Sequence, residues 1–199
     1  MWTCIIPTLW HSSRIHQLLY DLIGCEQVGE IILIDNAPKD PITLPKVKHI
    51  ICQENIFVNP SWNIGVSLSS YENIAIINDD VNFDTSIFAT LEPQIKDIGV
   101  CGMMFENYSI KETQPIKIFD LVERPYGWGC LMFLHKSNYN YIPEVLKIAC
   151  GDDYLIKFAY KATKLLGLQI ESDISTTSRM TEFGEQQIKD YEYYTQHYK

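Results

Sequence analysis

The sequence predicts an α/β fold with a mostly parallel central sheet flanked by helices, and three observations predict it. Short runs rich in β-branched residues alternate with helix-periodic stretches through the first half of the chain. Two of those runs, 30–35 (EIILID) and 73–78 (NIAIIN), are apolar almost without a break, the pattern of strands buried on both faces. Polar residues, namely Thr8, Asp35 and Asp79-Asp80, stand where three of the runs end. Alternating strands and helices are joined as parallel strands by right-handed crossovers. Ligands of such open sheets bind beyond the carboxyl ends of the strands. The three polar strand ends are therefore expected to converge on one edge.

The elements follow in order. Residues 3–8 form a strand ending at Pro7-Thr8. Ser12 and Ser13 offer caps for a helix in which Ile15, Leu18, Leu19 and Leu22 recur at helical spacing, with Gly24 near its end. Residues 30–35 and 47–52 are the second and third strands. Asn59-Pro60 opens a helix, since proline suits a first turn. Residues 73–78 are the fourth strand. Beyond it, 98–105 and 129–134 read as strands separated by a long polar connection. A helix starting at Asp152 or Asp153 is expected to run to Lys164, with Tyr154, Leu155, Phe158, Ala159 and Ala162 as its apolar stripe. Gly167 breaks it, 168–174 returns as a strand, and the tyrosine-rich stretch from Glu182 is read as a helix. No repeat or linker divides the chain, so 1–199 is expected to be one domain.

Composition narrows the function. The formal net charge is −9, and the sixteen Lys and Arg are scattered without a basic run. Polyanions are held by clustered cations that release counterions, so nucleic acid is not expected as a partner. A nucleotide held by backbone groups and a bound cation stays open. None of the six cysteines forms a CxxC pair, which fits buried thiols better than a zinc or redox site. The N-terminal apolar run stops at Pro7 without a basic n-region, so it reads as a strand, not a leader. No apolar run is long enough to span a bilayer. A cytoplasmic location is expected.

Four local patterns could carry chemistry. Asn78-Asp79-Asp80-Val81 follows the fourth strand. Carboxylates there could hold a hard divalent cation, although the same residues also make simple turns. Gly151-Asp152-Asp153 heads a helix, where an aspartate could serve as general base or as an ordinary N-cap. Asn59 through Gly65 could bring amides to a phosphate or form a buried capping network. Tyr126-Gly127-Trp128-Gly129 could offer an aromatic face to a sugar, or be a glycine-flanked turn before a strand.

Taken in order, these motifs resemble the GT-A glycosyltransferases, especially the large inverting family 2 and its rhamnosyltransferase-like members. The resemblance runs from Thr3 to about Ser178. Cys4-Ile5-Ile6-Pro7-Thr8 is similar to that family's opening strand, and Ile32-Leu33-Ile34-Asp35-Asn36 to its second. Asn63-Ile64-Gly65 resembles the next helix, Ile77-Asn78-Asp79-Asp80-Val81 the metal motif, and Tyr126 through Phe133 the acceptor-side strand. Gly151-Asp152-Asp153-Tyr154-Leu155 is similar to the family's base motif.

The resemblance implies a nucleotide-binding half of about 1–82 and an acceptor-binding half of about 83–199. It implies that Thr8, Asp35 and Asn63 contact the donor and that Trp128 borders the sugar. Asp80, with Asp79 second, would hold Mn²⁺ or Mg²⁺ on the diphosphate. Asp153, with Asp152 as fallback, would deprotonate the acceptor hydroxyl. The expected function is non-processive, inverting transfer of one hexosyl unit from a UDP-, GDP- or dTDP-linked sugar to a carbohydrate acceptor in glycan synthesis. Three departures stand out: the metal motif begins with Asn78, no histidine lies in 175–178, and no Q-x-x-R-W follows Asp153. The first makes Asp80 the firmer metal ligand, the second leaves the third protein ligand open, and the third speaks against the polymer-making subgroup. Two alternatives accompany this reading. A catalytically silent nucleotide-sugar-binding domain would bind donor without turnover. A sugar-phosphate nucleotidyltransferase would need a glycine-rich basic loop where Pro7-Thr8-Leu9-Trp10-His11 stands.

Overall fold

The computed structural model describes residues 1–37, 39–173 and 183–199. The expected 175–178 segment, the end of the 168–174 strand, the first residues of the C-terminal stretch and the end of the family resemblance lie outside them.

The first four strands are β1 (Trp2–Thr8), β2 (Val28–Asp35), β3 (Val47–Ile51) and β4 (Asn73–Ile77), and they lie parallel in the order β3-β2-β1-β4. Two helices join them: α1 (Arg14–Gly24) and α2 (Val58–Leu68). The apolar runs are continuous because alternate residues face opposite cores. Cys4, Ile6, Ile31, Leu33, Ala75 and Ile77 pack with Ile15, Leu18, Leu19 and Leu22 of α1. Ile5, Ile32, Ile34, Ile74 and Ile76 meet Trp62 and Val66 of α2 on the other face.

Gly65 sets the approach of α2. A Cβ there would press into the side chain of Ile5, which is fully buried on β1. Gly65→Ala is therefore expected to destabilise the protein by about 1–2 kcal/mol: overpacking costs roughly 1–3 kcal/mol and the helix preference for alanine returns at most about 1 kcal/mol. Urea unfolding measures the difference.

The second half completes the same sheet. β8 (Leu131–His135) runs antiparallel between β4 and β6 (Val100–Met103). β9 (Ala162–Leu166) lies parallel to β6, and β7 (Lys117–Asp120) closes the edge antiparallel to β9. The sheet has eight strands in the order β3-β2-β1-β4-β8-β6-β9-β7, with four of its seven pairings parallel. A small ribbon pairs β5 (Val81–Phe83) with β10 (Ile170–Ser172), and α3 (Ile87–Leu91) packs on the α1 side. The C-terminal helix is α5 (Gly184–Tyr198).

One expectation is corrected here. The helix after Gly151, α4 (Gly151–Phe158), ends well before Lys164, and Ala162 belongs to β9 rather than to its stripe. Ala159 turns extended while its N–H still reaches Leu155 O, which closes the helix. The following residues then pair with strands on both sides and bury Thr163 and Leu165 alternately. Two-sided strand pairing outweighs a helical spacing that extends only as far as Ala162.

Candidate functional site

A cavity of about 430 Å³ opens beyond the carboxyl ends of β1 and β4, within the ~300–1,000 Å³ typical of ligand sites. Its walls come from separate segments: 7–9, 78–80, 124–130, 148–153 and α5. The convergence follows from register. Thr8 is level with Asp35, and Asn78 N–H bonds Cys130 O at 2.9 Å, which ties the acidic turn to the glycine-rich loop.

The Thr8 hydroxyl donates to Asp79 Oδ2 at 2.6 Å, and the Thr8 Oγ accepts the Trp10 N–H at 2.8 Å. Ser172 Oγ donates to Asp80 Oδ2 at 3.3 Å from the β5–β10 ribbon. Burial raises the carboxyl of Asp79 above its ordinary value, opposed by the Thr8 hydrogen bond and reinforced by the charge of Asp80. Asp80 is raised too, first by burial, with the Ser172 bond opposing.

Across the cavity floor, the first turn of α4 carries Asp152 and Asp153. Arg124 bridges them: its Nη1 donates to Asp152 Oδ2 at 2.9 Å and its Nε to Asp153 Oδ1 at 2.8 Å. Asp152 also accepts the Asp153 N–H at 3.0 Å and lies against Gly129, where a side chain would collide with its carboxylate. Burial raises the Asp152 carboxyl; Arg124 opposes the shift and Asp153 adds to it.

The structure thus brings Thr8, Asp79, Asp80, Asp152 and Asp153 onto one wall system, and sets Asp35, Asn63 and Trp128 behind it. Asp35 is fully buried. It accepts the N–H groups of Ala37 (3.0 Å) and Lys39 (3.2 Å), and meets His49 Nε2 at 3.1 Å. His49 Nδ1 accepts the Ile42 N–H, so in the neutral ring Nε2 carries the hydrogen that faces Asp35. Its neighbour Asn36 lines the cavity instead, held by Ser61 Oγ and the Ile56 N–H.

Asn63 spends its amide on the 139–142 segment. Its Nδ2 donates to Ile142 O at 2.8 Å, and its Oδ1 accepts from Tyr139 OH and Ile142 N. Trp128 is turned into the core, its ring over Gly102 and its indole N–H donating to Thr163 O at 2.9 Å. Gly127, at φ 74°, permits that turn and leaves the loop backbone and Tyr126 on the cavity side.

Sequence reasoning missed Arg124, which lies in the long polar connection without a spacing signal, and Tyr191 and Gln187, which α5 brings to the wall. Among the described residues, no group of three or more His, Cys, Asp or Glu converges as a complete metal cage. The donor set of Asp79 and Asp80 fits a hard divalent cation held by one or two carboxylates and completed by phosphate oxygens. No described helix is long and apolar enough to cross a membrane.

The architecture recurs in solved structures. TarS 1–349 from S. aureus matches with a TM-score of 0.61 and 14% identity, covering 83% of this chain and 58% of that one. GalNAc-T7, solved with UDP, GalNAc and Mn²⁺, matches with a TM-score of 0.65 and 10% identity, covering 86% and 43%. HddC from Yersinia pseudotuberculosis gives 0.55 and 16%, covering 86% and 93%. The chain therefore spans a little over half the length of the TarS fragment. No family model and no curated protein matches its sequence. The fold is the GT-A fold.

Proposed function

We propose that the chain is a glycosyltransferase that moves one sugar from a nucleotide-diphospho-sugar to a carbohydrate hydroxyl, with inversion, in glycan synthesis. The observation that carries this reading is the placement of two acidic pairs on one cavity beyond the strand ends. Asp79-Asp80 lies on the β4 side and Asp152-Asp153 on the α4 side. TarS has also been solved with UDP-GlcNAc, and GalNAc-T7 with UDP, which puts uridine donors first among candidates.

In this reading Thr8, Asp79 and the wall beside Asn36 bind the donor, while Asp35, Asn63 and Trp128 brace the surrounding segments. Asp80 and Asp79 hold Mn²⁺ or Mg²⁺, which when bound neutralises charge on the departing diphosphate. Arg124 keeps Asp152 and Asp153 side by side, and Asp153 accepts the acceptor's proton. The hydroxyl oxygen forms a bond to the anomeric carbon, and the bond from that carbon to the diphosphate oxygen breaks. The nucleoside diphosphate leaves with the electron pair, and a single in-line displacement inverts the centre. The halves 1–82 and 83–199 would serve donor and acceptor within one domain, working in the cytoplasm.

A panel of UDP-, GDP- and dTDP-linked sugars, with and without Mn²⁺, tests the proposal by thermal shift and nucleotide release. One donor should stabilise the chain, more so with Mn²⁺, and be slowly hydrolysed. Binding without turnover, even with candidate acceptors, would instead favour a silent donor-binding domain.

A further inference from the structure

The segment that presents Asp152 and Asp153 is gripped from both sides by residues far from it in sequence. On one side Asn59, fully buried in α2, donates from Nδ2 to Leu146 O at 3.2 Å and Ala149 O at 3.1 Å. Its own N–H bonds Lys147 O at 3.0 Å. On the other side α5 sends Asp190 into the protein, where it is 0% exposed. A single oxygen, Oδ2, accepts three consecutive backbone N–H groups: Lys147 at 3.0 Å, Ile148 at 2.6 Å and Ala149 at 2.8 Å. Gln186 Nε2 fixes the other oxygen at 2.7 Å.

The grip ends where α4 begins. Cys150 takes left-handed backbone, φ 61°, and Gly151 lies so close to Asn59 Oδ1 that a side chain could not fit. One turn beyond Asp190, Tyr194 donates its hydroxyl to the carbonyl of Asp153 at 3.2 Å. The strained residue can persist only while its surroundings hold it. Three N–H groups converge on Asp190 Oδ2, and hydrogen bonds of this kind to a charged acceptor are shorter and stronger than neutral ones.

We infer that Asp190 is a positioning residue for the acidic pair on α4: by gathering the 147–149 amides it sets the start of the helix and the placement of Asp153 in the cavity. The inference rests on the reading of Asp153 as the base. It also makes α5, the last helix of the chain, part of the catalytic framework rather than a surface addition.

The test compares Asp190→Asn, Gln186→Ala and Asp153→Asn in the full chain. Turnover is read as nucleotide release from the UDP-, GDP- and dTDP-sugar panel with Mn²⁺, and backbone order by amide hydrogen exchange without ligand. Small misplacements of catalytic groups cost up to about 100-fold, so Asp190→Asn should lower kcat about tenfold or more. Donor KM should stay within about threefold, because Thr8, Asp79 and Asp80 sit on other elements. Exchange at Lys147, Ile148 and Ala149 should speed up by about tenfold or more, ahead of the β1–β4 core. Gln186→Ala, a milder change, should shift kcat and exchange in the same direction and by less. Normal kcat in Asp190→Asn beside an inactive Asp153→Asn overturns the Asp190 assignment alone. A fall in kcat together with a rise in donor KM and core-wide faster exchange also overturns it, as a purely structural role. Normal turnover by Asp153→Asn overturns both the base and the positioning role.

Discussion

Asp153→Asn should abolish transfer while leaving donor binding within a few-fold of the parent. A positioned general base contributes about 10²–10⁴-fold, and the amide keeps the shape of the carboxylate without its basicity. Asp153 is held against Arg124 at 2.8 Å, so the asparagine keeps a partner and the local fold should survive. Asp152→Asn is the informative companion. Asp152 packs against Gly129 and takes the Asp153 N–H, an anchoring place in the first turn. Its loss should act mainly through Arg124 and reduce kcat less. Steady-state kinetics on both variants, with donor affinity from thermal shift, measures the contrast. If Asp152→Asn proves the more damaging, the two aspartates exchange roles.

The second large effect concerns Asp80→Asn, for which stability and function should move in opposite directions. Asp79, Asp80 and Asp152 all have carboxyls raised above the ordinary value, first by burial. A group raised in the folded state binds more protons there than in the unfolded chain. Its contribution to stability is therefore fully present below the ordinary aspartate value and is lost as pH rises through the folded one. The cation-free protein should thus grow less stable through these residues as pH rises above about 4. Carboxylates lowered in the fold, such as Glu30 and Asp173, act with the opposite sign: their contribution is present above the ordinary carboxylate value and is lost as pH falls through the folded one.

Removing the charge of Asp80 should raise the melting temperature at pH 7 without cation, and the gain should shrink towards pH 4. At this chain length each kcal/mol is worth roughly 2–4 °C. The same variant should lose the stabilisation that Mn²⁺ gives the parent and bind donor about tenfold or more weakly, since a carboxylate ligand supplies much of a hard cation's affinity. Calorimetry across pH, with and without Mn²⁺, reads both effects. Equal Mn²⁺ stabilisation of parent and variant would remove Asp80 from the proposed metal site.

The parallel half of the fold is legible in the sequence because burial on both faces turns strands into unbroken apolar runs, as at 30–35 and 73–77. The strand-end positions of Thr8, Asp79 and Asp80 follow from the same runs. β7 escapes notice because it is an edge strand whose residues are mostly exposed, so no alternation marks it. Ala162 imitates one more turn of α4 because a strand and a helix can each place an apolar residue there. Asp35, Asn63 and Trp128 are where local pattern and role separate. Each is a polar or aromatic group beside the cavity, yet distant partners claim its bonding groups: His49, Tyr139 with Ile142, and Thr163. Arg124 and Asp190 reach the site only through tertiary contact, which no sequence window contains.

The position of β8 has a consequence for biosynthesis. One side of β4 is paired by β1; the other is paired by β8, which follows β4 in the chain by a long interval and links it to β6, β9 and β7. While the nascent chain lengthens through the 58 residues from Asn78 to His135, the β8 side of β4 is an unpaired edge on a strand that is apolar from Ile74 to Ile77. At about 5–20 residues per second that exposure lasts roughly 3–12 s. An open, flat, hydrophobic edge is a template for another strand. Chains stalled or truncated between Asn78 and Leu131 should therefore aggregate through β4, whereas chains extending past His135 should not.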